Sequence, residues 1–120
     1  MENINIRQVK VNDFEDMYSL NKELGYEYAK EKVKERIQYV LDKKQDIVFV
    51  AQVDCEVIGY IHGSPYELLY LDSLINILGF VVKEKYRNMG VGNALIQQLE
   101  SWAKCKGYTG IRPGQTHESL

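Results

Sequence analysis

The chain has 120 residues, 45% of them hydrophobic and 27% charged. That is one domain of globular proportions, and it excludes wholesale disorder or a low-complexity fibre. Fifteen Lys plus Arg against seventeen Asp plus Glu leave a formal charge of −2, without the basic excess that counterion release on nucleic acid exploits, so nucleic acid is not an expected partner. No stretch approaches the roughly 18–20 apolar residues of a membrane span, and Met1-Glu2-Asn3-Ile4-Asn5 lacks the basic start and apolar run of a signal peptide. A cytoplasmic protein with no membrane partner is expected.

In chain order, Asn3 to Val9 alternates Ile4, Ile6 and Val9 with polar neighbours, the period-2 pattern of a half-buried strand. Asn12 and Glu15 have the spacing of a capping box, and Phe14, Met17, Tyr18 and Leu24 follow at helical spacing, predicting a first helix that Gly25 ends. From about Glu27, Ala29, Val33, Ile37, Val40 and Leu41 share one face of a second amphipathic helix. Ile47 to Ala51 is apolar on both faces and predicts a central strand. Asp54-Cys55-Glu56 turns it into Val57 to Ile61, a hairpin ended by Gly63 and Pro65. Tyr66 to Asp72 reads as loop. Leu74 to Val82 is a second run apolar on both faces, in which Gly79 marks a bulge or a close backbone approach. A polar turn then opens a helix whose buried face is Val91, Leu95, Leu99, Trp102 and Ala103. Gly107 closes this helix, with Tyr108 placed for the apolar contact that accompanies a glycine cap. A short strand, Thr109 to Arg112, and a polar tail from residue 113 to 120 complete a mixed α/β (α+β) sheet with helices on its faces. Cys55 and Cys105 stand apart from any Cys or His grouping, so two free thiols and no metal are expected.

Chemistry concentrates between Phe80 and Asn93. A helix start presents unpaired N–H groups and about half a positive charge, a site for phosphate oxygens. Gly90 and Gly92 keep side chains away from that backbone, and Arg87 adds a cation. No Gly-Lys-Ser/Thr follows, which excludes a Walker A loop, and Leu95 stands where the dinucleotide pattern needs its third glycine.

The segment Phe80-Val81-Val82-Lys83-Glu84-Lys85-Tyr86-Arg87-Asn88-Met89-Gly90-Val91-Gly92-Asn93-Ala94-Leu95 resembles the acyl-CoA motif of the GNAT N-acetyltransferase superfamily, in which Arg or Gln-x-x-Gly-x-Gly or Ala follows a strand and begins a helix. The order before it is also similar, from Ile6-Arg7-Gln8-Val9 through two helices to Val57-Ile58-Gly59-Tyr60, so the resemblance covers about residues 4 to 112. It implies a GNAT-like fold with acetyl-CoA as acyl donor and transfer to a primary amine on a small molecule or peptide. By position, the amides of Asn88, Met89, Gly90, Val91, Gly92 and Asn93 hold the CoA pyrophosphate with Arg87 at the head of the loop, and the main chain of Phe80, Val81 and Val82 pairs with the pantetheine arm.

Two departures from the family pattern matter. Leu78 stands where many members carry a carboxylate, so no catalytic base is assigned; Glu67, Tyr70 and Asp72 read as solvated loop residues, His62 as an ordinary strand histidine and His117 as a tail residue. The family's further helix, with its proton-donating tyrosine, and its final hairpin find no counterpart after Pro113-Gly114. The uncovered sheet edge and apolar face predict a homodimer or strand-exchanged pair, the alternative being a shortened version of a longer chain. Competing functional readings are an acyl-CoA-binding module without turnover and a loop that grips another phosphate ligand such as ATP. Acceptor choice is expected from the first two helices and the loop from Gly63 to Asp72, whose Tyr66, Tyr70 and acidic Glu67 and Asp72 point weakly to cationic or aromatic amines.

Overall fold

The computed structural model describes residues 3–113; the polar tail beyond them, His117 included, lies outside the described residues. Five strands form one sheet in chain order: β1 (Asn5–Gln8), β2 (Ile47–Val53), β3 (Glu56–Tyr66), β4 (Leu74–Val82) and β5 (Ile111–Arg112). Neighbours are antiparallel except β4 and β5, which run parallel. Helices α1 (Phe14–Glu23) and α2 (Lys30–Lys43) cover one face, and α3 (Val91–Cys105) covers the other.

The two-sided burial predicted for β2 is observed. Val48 and Val50 pack with Met17, Leu20, Val33 and Ile37 of α1 and α2, whereas Ile47, Phe49, Ala51 and Val53 pack with Leu95, Leu99 and Ala103 of α3. Gly107 has φ +94°, and Tyr108 stacks on Trp102 with ring centroids 6.2 Å apart, as the glycine cap predicts. Among the described residues no helix is long and apolar enough to cross a membrane, and Cys55 and Cys105 are exposed free thiols.

Four local expectations are corrected. No Asn12–Glu15 capping box forms: Val11–Asp13 is a single 3-10 turn, and α1 begins at Phe14. The second helix begins at Lys30 rather than near Glu27, which leaves Ala29 exposed at its N-cap. Gly63 and Pro65 do not end β3, which continues to Tyr66. Pairing to β2 stops at Ile47 opposite Gly63, so Pro65 pairs on one side only, where a missing N–H is tolerated. Finally, β4 is not covered on both faces, since Leu78 and Phe80 are exposed.

The turn before α1 is held by charge. Arg7 on β1 grips Asp13 through two N–H···O bonds of 2.9 Å each and donates from Nε to Gln52 at 2.7 Å, while Asp13 also accepts the Lys10 N–H at 2.8 Å. Burial pushes the Asp13 carboxyl up, but the Arg7 hydrogen bonds, the Lys10 N–H and the charges of both residues outweigh it, so its pKa lies below the usual carboxylate range. A depressed folded value adds stability that is fully present above the ordinary aspartate pKa, about 4, and is lost as pH falls through the folded value. Asp13→Asn is therefore expected to lose about 1–3 kcal/mol at neutral pH. Urea unfolding at stepped pH should show that difference shrinking below about pH 4; a difference independent of pH would refute the ionic account.

Candidate active site

The site is built where β4 leaves its neighbours. His62 pairs with Gly79 but Gly63 pairs with Ile77, so Leu78 is the extra residue of a bulge at the predicted place. On the other side β5 pairs with β4 only at Ile75 and Asn76. Among the described residues, the outer edge of β4 from Ile77 to Val82 therefore has no strand beside it. Backbone groups alternate along a strand. The Lys83 N–H turns inward to the Ile58 carbonyl at 2.7 Å, whereas the Val82 carbonyl faces outward and accepts from Arg87 Nε at 3.0 Å. By that alternation Phe80 shares the outward orientation of Val82, and Val81 faces β3 opposite Tyr60. A groove of about 220 Å³ runs along this edge, lined by Phe80, Val81, Val82 and Arg87.

Beyond the groove the chain makes one 3-10 turn, Glu84–Tyr86, pinned to α1 by the Glu84 N–H donating to the Glu23 carboxylate at 3.0 Å. Arg87 to Gly90 are exposed, and Asn88 and Gly90 take positive φ values of 67° and 86°. Those two turns aim the chain into α3, whose first full turn closes with the Ala94 N–H donating to the Gly90 carbonyl at 3.0 Å. Among the described residues the amides of Asn88, Met89, Gly90, Val91, Gly92 and Asn93 donate to no protein acceptor. The two motif glycines do different work. A Cβ on Gly90 would meet nothing within 4 Å, so it supplies the left-handed turn and open space, whereas a Cβ on Gly92 would lie 3.2 Å from Phe80 Cζ, so it lets α3 settle against β4. Arg87 sits at the head of the loop but folds back onto β4, with its Nη2 3.9 Å from Glu23.

A second concavity, of about 310 Å³, opens on the opposite face between the sheet and the first two helices. Met17 and Asn21 of α1, Arg36 and Ile37 of α2, Val48 of β2 and Tyr60 and His62 of β3 lie in its wall. Tyr60 donates its hydroxyl to Asn21 Oδ1 at 2.6 Å, and burial, with a contribution from Tyr26, pushes its phenol pKa up, so it stays a protonated donor. His62 Nε2 lies 2.8 Å from Asp46 Oδ2, and Ser64 Oγ donates to Asp46 Oδ1 at 2.8 Å. Asn76, opposite Ser64, is buried, and its Oδ1 accepts no hydrogen bond among the described residues. Glu67, Tyr70 and Asp72 are exposed in the loop before β4, as predicted.

Sequence reasoning missed Glu23 and Asp46. Asp46 needed the register. Counting outward from Val53 opposite Glu56 places Asp46 opposite Gly63, but a bulge between Ala51 and Gln52 shifts the ladder by one residue and brings Asp46 onto the face of His62 and Ser64. Continuous alternation gives no signal for that shift.

A five-stranded mixed sheet that splays at β4 and β5, with an open glycine turn leading from β4 into a helix, defines the acyl-CoA N-acyltransferase fold class. The model of the Acetyltransferase (GNAT) family matches residues 12–113, and the chain belongs to that family. A GNAT family acetyltransferase from Staphylococcus aureus superposes with a TM-score of 0.84 at 20% identity, covering 98% of this chain and 90% of that chain. Glucosamine-6-phosphate N-acetyltransferase from Arabidopsis thaliana gives 0.83 at 14% identity, covering 98% and 86%. An aminoglycoside 6'-N-acetyltransferase from Acinetobacter baumannii gives 0.81 at 21%, covering 97% and 82%. At these identities the likeness is one of fold. No match is found among the curated protein sequences. Acyl-CoA-dependent N-acetylation is the general reaction of the family, and the chain is assigned as an N-acetyltransferase on that membership.

Proposed function

We propose that this chain transfers an acetyl group from acetyl-CoA to a primary amine. The observation that carries the proposal is the run of amides from Asn88 to Asn93, unpartnered among the described residues, beside the outer edge of β4, which no described strand pairs. A diphosphate fits this turn because its backbone donors are unpaired and the space over Gly90 is open. The outward main-chain groups of Phe80 and Val82 pair with the amides of the pantetheine arm, although the Val82 carbonyl is already engaged by Arg87. Bound acetyl-CoA supplies an activated acyl carbon. The chain's part is to hold the thioester at the bulge and aim a backbone N–H at its carbonyl oxygen, where one donor contributes about 3 kcal/mol to the developing oxyanion. The acceptor amine then attacks directly, and no acyl-enzyme is formed.

The acceptor enters from the concavity under α1 and α2. Its wall is mostly apolar and aromatic, and among the described residues that line it Arg36 is the one permanent charge. An amine with an apolar or aromatic body, or one carrying an anionic group, suits it better than a polycation. The cytoplasmic location and a homodimer that covers exposed Leu69, Tyr70 and Leu71 are parts of the same proposal.

Calorimetry with acetyl-CoA, and with ATP as competitor, tests the donor. Thiol release from acetyl-CoA in the presence of phenethylamine, spermidine, sisomicin and free amino acids tests the transfer. Binding without thiol release from any amine would favour the acyl-CoA-binding module, and displacement by ATP at comparable concentration would favour a general phosphate site.

A further inference from the structure

Acetyl transfer needs a proton acceptor, because a primary amine is largely protonated near neutral pH and its lone pair must be freed before it attacks. Leu78 cannot serve, and Glu67 and Asp72 are exposed in the loop before β4. Tyr60 is held protonated by burial and spends its hydroxyl on Asn21. His62 is different on three counts. It lines the concavity under α1 and α2. It pairs with Gly79 at the bulge, and a Cβ placed on Gly79 would lie 3.8 Å from the His62 Cβ, so its stem stands beside the strand that leads into the cofactor turn. And one of its nitrogens is already committed to Asp46.

That commitment fixes the tautomer. An ionised carboxylate only accepts, so Nε2 carries a hydrogen and donates it to Asp46. Nδ1 has no protein partner among the described residues. Asp46 is itself fixed: its side chain is 4% exposed, Ser64 Oγ donates to its other oxygen, and Lys43 Nζ stands 4.0 Å away. A carboxylate held by a hydroxyl and bonded to an imidazole on a cavity wall is the arrangement that orients a histidine as a general base and stabilises the imidazolium it becomes.

We propose that His62 is the general base of the transfer and that Asp46, with Ser64, is its positioning partner. This rests on the acetyl-transfer reading above. The acceptor ammonium gives one proton to His62 Nδ1, and the freed lone pair forms the C–N bond at the thioester carbonyl. The C–S bond breaks with its electron pair on sulfur. The remaining excess proton of the new amide nitrogen passes through water to the thiolate, giving free CoA thiol, and the imidazolium returns its proton to solvent. One ammonium and one acetyl-CoA thus give one acetamide, one thiol and one released proton.

The test reads the imidazole directly. The chain has two histidines, His62 and His117, so His62→Gln assigns their resonances in protein labelled with 15N-histidine. Long-range 1H–15N correlation spectra of the wild type should show neutral His62 with Nε2 protonated and Nδ1 bare. Asp46→Ala should lose that single tautomer, and saturating acetyl-CoA should move the His62 resonances. With the fastest amine of the panel above, His62→Gln should lower kcat about 100-fold or more while acetyl-CoA affinity by calorimetry stays within about twofold, which also shows that the variant is folded. A bare Nε2, His62 resonances unmoved by acetyl-CoA, or a His62→Gln kcat within about threefold of wild type would each overturn the assignment while leaving the proposed function standing. Failure of the wild type to bind acetyl-CoA, or to release thiol with any amine, would overturn the proposed function and with it the need for a base.

Discussion

Gly90→Glu is expected to abolish acetyl-CoA binding in a chain that still folds. Gly90 has φ +86°, and a Cβ there would meet no protein atom within 4 Å, so a side chain leaves the loop without a clash at its root. Its carboxylate instead sits over the positive end of α3 and takes the free N–H groups itself. A pyrophosphate then meets an occupied site and a like charge, worth about 1 kcal/mol at 4 Å in bulk water and about 4 kcal/mol at the effective dielectric of a protein surface. Together these predict a loss of roughly 100-fold or more in affinity. The left-handed backbone complicates the comparison, because any Cβ there costs about 1–2 kcal/mol. Gly90→Ala carries the same strain without the charge, so both variants should melt at similarly lowered temperatures and only the glutamate should lose the ligand. Calorimetric affinities that match between the alanine and glutamate variants would show that the diphosphate is held elsewhere.

How much of this was legible in the sequence depends on the range of the interaction. The strand-turn-helix from Phe80 to Asn93 was readable because each part is set by nearby residues: the glycine bulge, the turn residues and the helical spacing of Val91, Leu95 and Leu99. Both faces of β2 were readable because apolar residues alternate onto each of them without a break. The same pattern misled at β4. A run of apolar residues does not say whether a partner strand stays alongside; among the described residues β5 pairs β4 only as far as Asn76, and Leu78 and Phe80 are exposed. Asp46 lies 16 residues from His62 in sequence, and only the one-residue ladder shift places them together. Glu23, 61 residues from the backbone amide it accepts, had no local signal at all.

Gly63 gives the sharpest case of a residue whose local and tertiary roles differ, and the largest expected effect on stability. By propensity it ends a strand; in the fold it is buried in mid-β3 beneath α3. A Cβ there would lie 2.8 Å from Ile75 Cγ2 and 3.0 Å from Leu99 Cδ1, and one on Gly59, four residues earlier, would lie 3.4 Å from Leu95 Cδ1. Two glycines four apart on β3 thus seat two leucines four apart on α3, which draws the helix, and the turn that opens it, down onto the sheet. Gly63→Val has no free volume to enter and is expected to cost about 3 kcal/mol or more, since overpacking a filled core forces off-rotamer side chains and backbone shifts. For a chain of this size that lowers the melting temperature by roughly 10 °C. Leu99→Ala alone should cost about 2–5 kcal/mol by leaving a cavity. If the two side chains occupy the same space, the double variant Gly63→Val with Leu99→Ala should be more stable than the sum of the two losses predicts, by about 1 kcal/mol or more. Urea unfolding of the four proteins measures that coupling, and strict additivity would mean that Gly63 and Leu99 do not meet.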